Sequence, residues 1–374
     1  MKNVVVCCDG TDNQLSGALT NVVRIFEVAV KDKEQVAYYD PGVGTTTDPL
    51  ARGPISKRWS LLKGLAFGAG LKDNVLDAYR FLMRVYENGD QVFLFGFSRG
   101  AFTIRVLAGM LHAVGLPHAG TEHLLPYVWR NYRGIRILPP DATTADQETA
   151  RRREREVEVM RRSFTRPCPV AFLGPWDTVG SVGMYNWNQS FAFTFESDSV
   201  AIVRHAVALD ERRAAFRSNV FKADSTPLPH QKDRPRVMNV WFPGVHSDIG
   251  GGYPWPERSG LAMISFQWMV REAEKAGLSV DHAKMNTLLA QCRPNPCAEM
   301  HDESLKKGWK IIEYLPARRY DWDRKKTIWR FQPNKPRRMI QSPFLHRSVL
   351  DRMGGMSDYR PPSLPPDYQF PTES

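Results

Sequence analysis

Gln91-Val92-Phe93-Leu94-Phe95-Gly96-Phe97-Ser98-Arg99-Gly100 is the stretch on which the reading of this chain turns. Its first five residues form an apolar, aromatic-rich run of the length of one buried strand. G-x-S-x-G follows at once. Behind it, Val106, Leu107, Met110, Leu111 and Val114 recur at spacings of three and four, the period of a helix packed on one face. Strand, G-x-S-x-G, helix is the context of a nucleophile elbow, in which a sharp turn exposes a serine hydroxyl above the sheet edge. The flanking glycines Gly96 and Gly100 permit close packing, and the amide end of the helix faces developing negative charge. A bare G-x-S-x-G also occurs in ordinary strand-to-helix turns, so the flanking elements carry the assignment.

Outward from this stretch the chain alternates. Val4-Val5-Val6-Cys7-Cys8 reads as a buried strand ending in the turn-forming cluster Asp9-Gly10-Thr11-Asp12-Asn13. Thr20 or Asn21 caps a helix carrying Val22, Phe26 and Val30. A second strand, Val36-Ala37-Tyr38-Tyr39, ends at Asp40-Pro41-Gly42-Val43-Gly44. A helix over about 72–87, with Val75, Tyr79, Leu82 and Tyr86 on one face, leads into the serine strand. Further on, residues 151–162 alternate in charge and read as a solvated helix. Residues 170–173 form a strand ending at Asp177, and 199–216 a helix. Residues 237–242 form a strand ending in a Gly-rich turn, and 262–276 a helix. The pattern predicts an α/β protein: a three-layer α/β-hydrolase-like fold, with a mostly parallel sheet and helices on both faces. The expected plan is a catalytic domain over 1–355, with insertions at about 45–70 and 117–165, and a Pro-rich tail over 356–374.

Composition narrows the classes. Hydrophobic residues make up 42% and aromatic residues 11%, enough for a packed core and against global disorder. Lys+Arg 51 against Asp+Glu 40 leaves a net charge of +11, which favours anionic surfaces and says nothing about fold. The five cysteines form an odd set without a secretory leader, as expected of reduced thiols and a cytoplasmic location. No run is long enough to span a membrane, so membrane contact is expected to be peripheral and export to use a leaderless route.

Three strand ends carry polar residues out of character with their apolar approach. Ser98, Asp177 and His246 supply a nucleophile, an orienting carboxylate and a general base in the order Ser, Asp, His. Asp248 is the alternative acid, but one tight loop rarely supplies both His246 and its carboxylate in triad geometry. His346 is the alternative base, late in the chain and without a clear strand before it. The Arg99 amide is expected to be one oxyanion donor, and Gly10 or Thr11 the second.

At these residues the chain resembles the α/β-hydrolase domain family of type VI secretion phospholipase effectors, the serine lipase class with a G-F-S-R-G-A elbow. The motifs, in order, are Cys8-Asp9-Gly10-Thr11, Tyr39-Asp40-Pro41-Gly42-Val43-Gly44, Gly96-Phe97-Ser98-Arg99-Gly100-Ala101, Trp176-Asp177-Thr178-Val179-Gly180 and the run from Pro243 through His246 and Asp248 to Tyr253. His346-Arg347-Ser348-Val349 resembles the family's later His-x-Ser-Val motif. The resemblance covers roughly 1–355. It implies phospholipase or esterase activity through a Ser-Asp-His triad and an acyl-enzyme, without a cofactor. Immunity and secretion proteins are the partners it suggests.

Other classes make different demands. A carboxylesterase acting on a non-lipid acyl ester would use the same residues. A metal-dependent hydrolase would use Asp9, His246 and Asp248. Cys292, Cys297 and His301 lack a convincing fourth zinc ligand. Asp9-Gly10-Thr11 resembles part of the D-x-D-G-T site of aspartyl-phosphate phosphatases, but Cys7 stands where their nucleophile belongs. A basic protein binding anionic membrane or nucleic acid would need no serine, and no recognisable nucleic-acid module is present. Trp59, Leu61, Leu62, Leu65 and Phe67, beside Lys57, Arg58 and Lys63, read as a lid, an interfacial contact or a core-covering insertion.

Overall fold

Val4, Val6 and Cys8 pack on one side of strand β1 (Asn3–Cys8), Val5 and Cys7 on the other, and both sides are buried. A strand buried on two faces needs a layer over each. The structure, a computed structural model, describes residues 1–10, 19–42, 68–135, 138, 142–179, 191–194, 200–213, 216, 218–222, 224, 226–228, 231–302, 317–321, 326–330, 334–337, 339, 343–361 and 363–371. The other strands of its main sheet are β2 (Gln35–Asp40), β3 (Gln91–Phe97), β4 (Val170–Trp176), β5 (Val200–Ala208), β6 (Val237–Phe242) and β7 (Phe344–Leu345). The helices are α1 (Asn21–Val28), α2 (Gly68–Val85), α3 (Arg99–Val114), α4 (Leu125–Gly134), α5 (Thr144–Phe164), α6 (His246–Gly250), α7 (Gly260–Lys275), α8 (His282–Gln291) and α9 (Ser348–Gly355).

The seven strands run in the order β7-β6-β5-β4-β3-β1-β2, and every neighbouring pair is parallel. Val75, Leu82, Ile104 and Leu107 of α2 and α3 cover one face. Val22, Ile25, Phe266 and Met269 of α1 and α7 cover the other. This is the three-layer α/β arrangement expected from the alternating pattern. The chain leaves β1 toward β2 across one face and returns to β3, on the far side of β1, across the other. The order therefore reverses between β1 and β3, and in open α/β sheets ligands bind beyond the carboxyl ends of the strands at such a point. Asp9 and Gly10 follow β1 there, and Ser98 follows β3.

Several local expectations change. Within the stretch expected to be a helix over 199–216, Val200–Ala208 is instead a central strand between β4 and β6. Its run, Val-Ala-Ile-Val-Arg-His-Ala-Val-Ala, is buried on both faces over most of its length, so it lacks the polar alternation that marks a half-exposed strand. Its β-branched residues were the better signal. Helix α1 ends at Val28, so Val30 lies beyond it; its buried apolar residues are Val22, Ile25 and Val28, and the partly buried Phe26 packs against the same cluster. Thr20 is its N-cap, accepting from the Val23 amide at 3.3 Å. A two-residue strand does precede His346, paired with Val240 and Trp241. The charged stretch is the mostly exposed α5. The apolar loop around Trp59 lies outside the described residues, and among the described residues no helix is long and apolar enough to cross a membrane.

The segment after α9 packs back onto the sheet edge. Tyr359 is 7% exposed, and its hydroxyl donates to Asp210 Oδ2 at 2.8 Å. The same oxygen accepts the Gly244 amide at 2.7 Å, just before α6. Leu364 and Tyr368 pack against the cluster of Trp241, Leu345 and Val349. Tyr359→Phe, which removes one donor from a buried carboxylate, is expected to lower unfolding free energy by about 1–2 kcal/mol in a denaturant titration. An unchanged midpoint would mean that the bond contributes nothing to holding this segment.

Candidate active site

The backbone at Ser98 is strained. Its φ of 57° and ψ of −118° place it in a region that L-residues rarely adopt, at a typical cost of about 1–3 kcal/mol. Among the described residues, the non-glycine positions with positive φ are Ser98, Asp177, Phe193 and Asn334. Two of these four are candidate catalytic residues. The strain at Ser98 is held from both sides. Its amide donates to Trp176 O at 3.1 Å, and its carbonyl accepts the amides of Phe102 at 3.3 Å and Val179 at 3.4 Å. The hydroxyl does not cap α3.

The elbow glycines answer to close approach. A Cβ at Gly96 would lie 2.5 Å from Gly100 O, and one at Gly100 would lie 2.0 Å from Cys8 O. Only bare backbone lets the first turn of α3 fold over the end of β3 while resting on the end of β1. The Arg99 amide opens α3, at the positive end of its dipole.

Asp177 follows β4 and His246 begins α6, directly after the β6 turn. His246 Nδ1 lies 2.5 Å from Asp177 Oδ2, and both side chains are buried. The carboxylate fixes the proton on Nδ1 and leaves Nε2 as the basic nitrogen. The imidazole packs against Phe97, Ser98's neighbour, at 4.6 Å between ring centres, and against the edge of Phe216 at 4.7 Å. No hydrogen bond joins Ser98 to His246 among the described residues. Burial raises the Asp177 pKa, but the Arg337 guanidinium and the His246 imidazole outweigh it and hold the carboxyl well below the usual range. Burial lowers the His246 pKa, and the pull of Asp177 only partly offsets this. The imidazole is therefore neutral at pH 7.

Arg337, Glu211 and His205 complete the surroundings, and none was singled out by sequence reasoning. Arg337 Nη1 lies 2.5 Å from Asp177 Oδ1, and Nη2 lies 3.0 Å from Oδ2. Glu211, paired with Arg213, accepts the His246 amide at 3.2 Å. His205 Nε2 accepts the Thr178 amide at 3.2 Å, so its proton sits on Nδ1, facing Asn239 Oδ1 at 3.1 Å. Burial pushes its pKa down to about 3, which keeps it neutral. His205 lay in the stretch read as a helix. Arg337 lies in an aperiodic, Pro-flanked segment, where only tertiary structure supplies its partner.

The remaining candidates have partners elsewhere. Asp9 accepts Thr20 Oγ1 at 2.6 Å, Tyr39 OH at 2.9 Å and the Gly10 amide at 2.7 Å, and so ties the β1 turn to α1 and β2. The Gly10 amide therefore points at Asp9 rather than at an oxyanion, and Thr11 lies outside the described residues. Asp248 pairs with His301 Nδ1 at 2.6 Å rather than with His246, and also accepts the Val245 amide at 3.0 Å. His346 Nδ1 accepts the Ser348 amide at 3.2 Å, which places its proton on Nε2, and its ring stacks on Phe242, with no carboxylate bonded to it among the described residues. Burial lowers its pKa to about 4. Asp9, His246 and Asp248 are not brought together. Among the described residues no group of three or more His, Cys, Asp or Glu side chains is placed to hold a metal, Cys292, Cys297 and His301 included.

Comparison with known proteins adds three kinds of likeness. The family model described as T6SS, Phospholipase effector Tle1-like, catalytic domain matches residues 2–272. Uncharacterized protein YEL023C of Saccharomyces cerevisiae is 35% identical over 240 residues, which is 61% of this chain and 33% of that protein. The chain thus spans about a third of the length of that curated relative. Among solved structures, an uncharacterized protein from Pseudomonas aeruginosa is similar at 17% identity and a TM-score of 0.40, over 75% of this chain and 46% of that one. The structure of the Tle1 effector bound to the VgrG spike from the type 6 secretion system is similar at 17% identity and a TM-score of 0.36, over 67% of this chain and 51% of that one.

Proposed function

Because the chain belongs to the Tle1-like family of type VI secretion phospholipase effector catalytic domains, we propose that it is a serine hydrolase that cleaves the acyl esters of phospholipids. The observation that carries the mechanism is the buried Asp177–His246 contact of 2.5 Å beside a strained Ser98. In the proposed reaction His246 Nε2 takes the Ser98 proton as Oγ attacks the ester carbonyl. The Arg99 amide and the α3 dipole stabilise the oxyanion. The protonated imidazole then gives its proton to the leaving alcohol. Water, deprotonated by the same nitrogen, hydrolyses the acyl-enzyme. The charge of +11 suits an anionic bilayer surface. Residues 1–355 are proposed to form the catalytic unit. By analogy with the named effectors, a secretion apparatus would be its partner.

The test is a fluorophosphonate probe together with phospholipid vesicles. Labelling at Ser98, located by mass spectrometry, and chelator-insensitive release of fatty acid from the vesicles are expected. Hydrolysis of soluble short-chain esters but not of vesicles would replace phospholipase with carboxylesterase. Hydrolysis abolished by chelator, without labelling, would sink the serine mechanism. A pH dependence follows from His246. The base works when neutral, and burial lowers its pKa below the ordinary histidine value of about 6.5. Activity should therefore persist below pH 6.5 and fall as pH drops through the lowered value. An acid limb of kcat/KM above pH 7 would contradict this assignment.

A further inference from the structure

Resting on the triad reading above, we infer that Arg337 is a positioning residue that clamps the acid member of the triad and sets the charge felt by the base. Its guanidinium spans both oxygens of Asp177, the geometry in which an arginine fork binds a carboxylate most specifically. The fork is itself fixed: Nη1 donates to Ala208 O at 3.0 Å and Nε to Phe216 O at 2.9 Å, and Nη2 also donates to Phe216 O. Asp177 Oδ1 additionally accepts the Ala208 amide at 2.9 Å. Arg337 is buried with Asp177, each side chain 1% exposed, so water screens neither charge.

Two consequences follow. The carboxylate cannot rotate away from His246 without breaking both arms of the fork. Its negative charge is also shared between a permanent cation and the imidazole, so the imidazolium is less stabilised than beside a lone aspartate. Among the described residues, the other charged or titratable groups facing the pair are Glu211 and Arg213, which contact each other, and neutral His205. None of them contacts the carboxylate of Asp177 as Arg337 does. Arg337 also lies outside residues 2–272, the part of the chain matched by the family model.

The experiment measures the rate of Ser98 labelling by a fluorophosphonate against pH, for the full chain and for Arg337→Gln. Loss of the cation should favour the imidazolium. The acid midpoint is expected to rise by about one pH unit, and the plateau rate to fall on the order of tenfold as Asp177 loosens. A purely structural role would lower the rate equally at every pH, so an unmoved midpoint overturns the inference. If the glutamine variant does not fold, Arg337→Lys carries the test. It keeps the charge without the fork, so the midpoint should stay within about half a unit while the plateau falls. A wild-type plateau in the lysine variant overturns the clamp. Wild-type protein left unlabelled at Ser98 overturns both this inference and the reading beneath it. Labelled wild type with an insensitive Arg337 overturns this inference alone.

Discussion

Ser98→Ala is expected to lower kcat for ester hydrolysis by a factor on the order of 10⁵–10⁶, with the fold intact. Removal of the nucleophile leaves only the oxyanion donors and substrate binding, which together sustain a small residue of catalysis in triad enzymes. The effect should be confined to chemistry. The hydroxyl does not cap α3, and the backbone contacts that hold position 98 come from its own amide and carbonyl. Alanine keeps those contacts and the same φ of 57°, so unfolding free energy should move by less than about 0.5 kcal/mol. The two measurements are made on one preparation, initial rates on short-chain ester and a denaturant titration. Activity within tenfold of wild type would remove Ser98 from the mechanism.

Gly100→Ala is expected to damage both stability and activity, although it adds a single methyl group. The new Cβ would fall 2.0 Å from Cys8 O and 2.5 Å from Asp9 O. Both are backbone atoms of the β1 end, so no side chain can swing aside to relieve them. Helix α3 would have to lift from the sheet, and Ser98 and the Arg99 amide would move with it. A loss of about 3 kcal/mol or more in stability is expected. The fraction that still folds should lose on the order of 100-fold in kcat through misplacement of the reacting groups. A variant as stable as wild type would show that α3 does not rest on β1 as described.

The parts of this architecture that could be read from the sequence are those where one local signal sufficed. The apolar run before Ser98, the glycines around it and the helical period after it all pointed to the same turn. Asp177 and His246 stood out because each follows an apolar strand with a polar residue. Strand β5 was misread because Val200–Ala208 is buried on both faces and shows no alternation. The tight loop favoured Asp177 over Asp248 as the partner of His246, but nothing local pointed to Asp248's own partner, His301, 53 positions away. Arg337 had no signal at all. Its partner lies 160 residues earlier, in a turn whose position is fixed only once the sheet has assembled.

That separation orders events during synthesis. The contact between Asp177 and Arg337 cannot form until residue 337 has left the ribosome. At typical elongation rates, the 160 residues between them take about 8–30 s to make. Throughout that interval the nascent chain already carries Ser98, while Asp177 still lacks Arg337. On the proposed mechanism, this chain is thus least equipped for catalysis while it is still tethered to the ribosome that makes it.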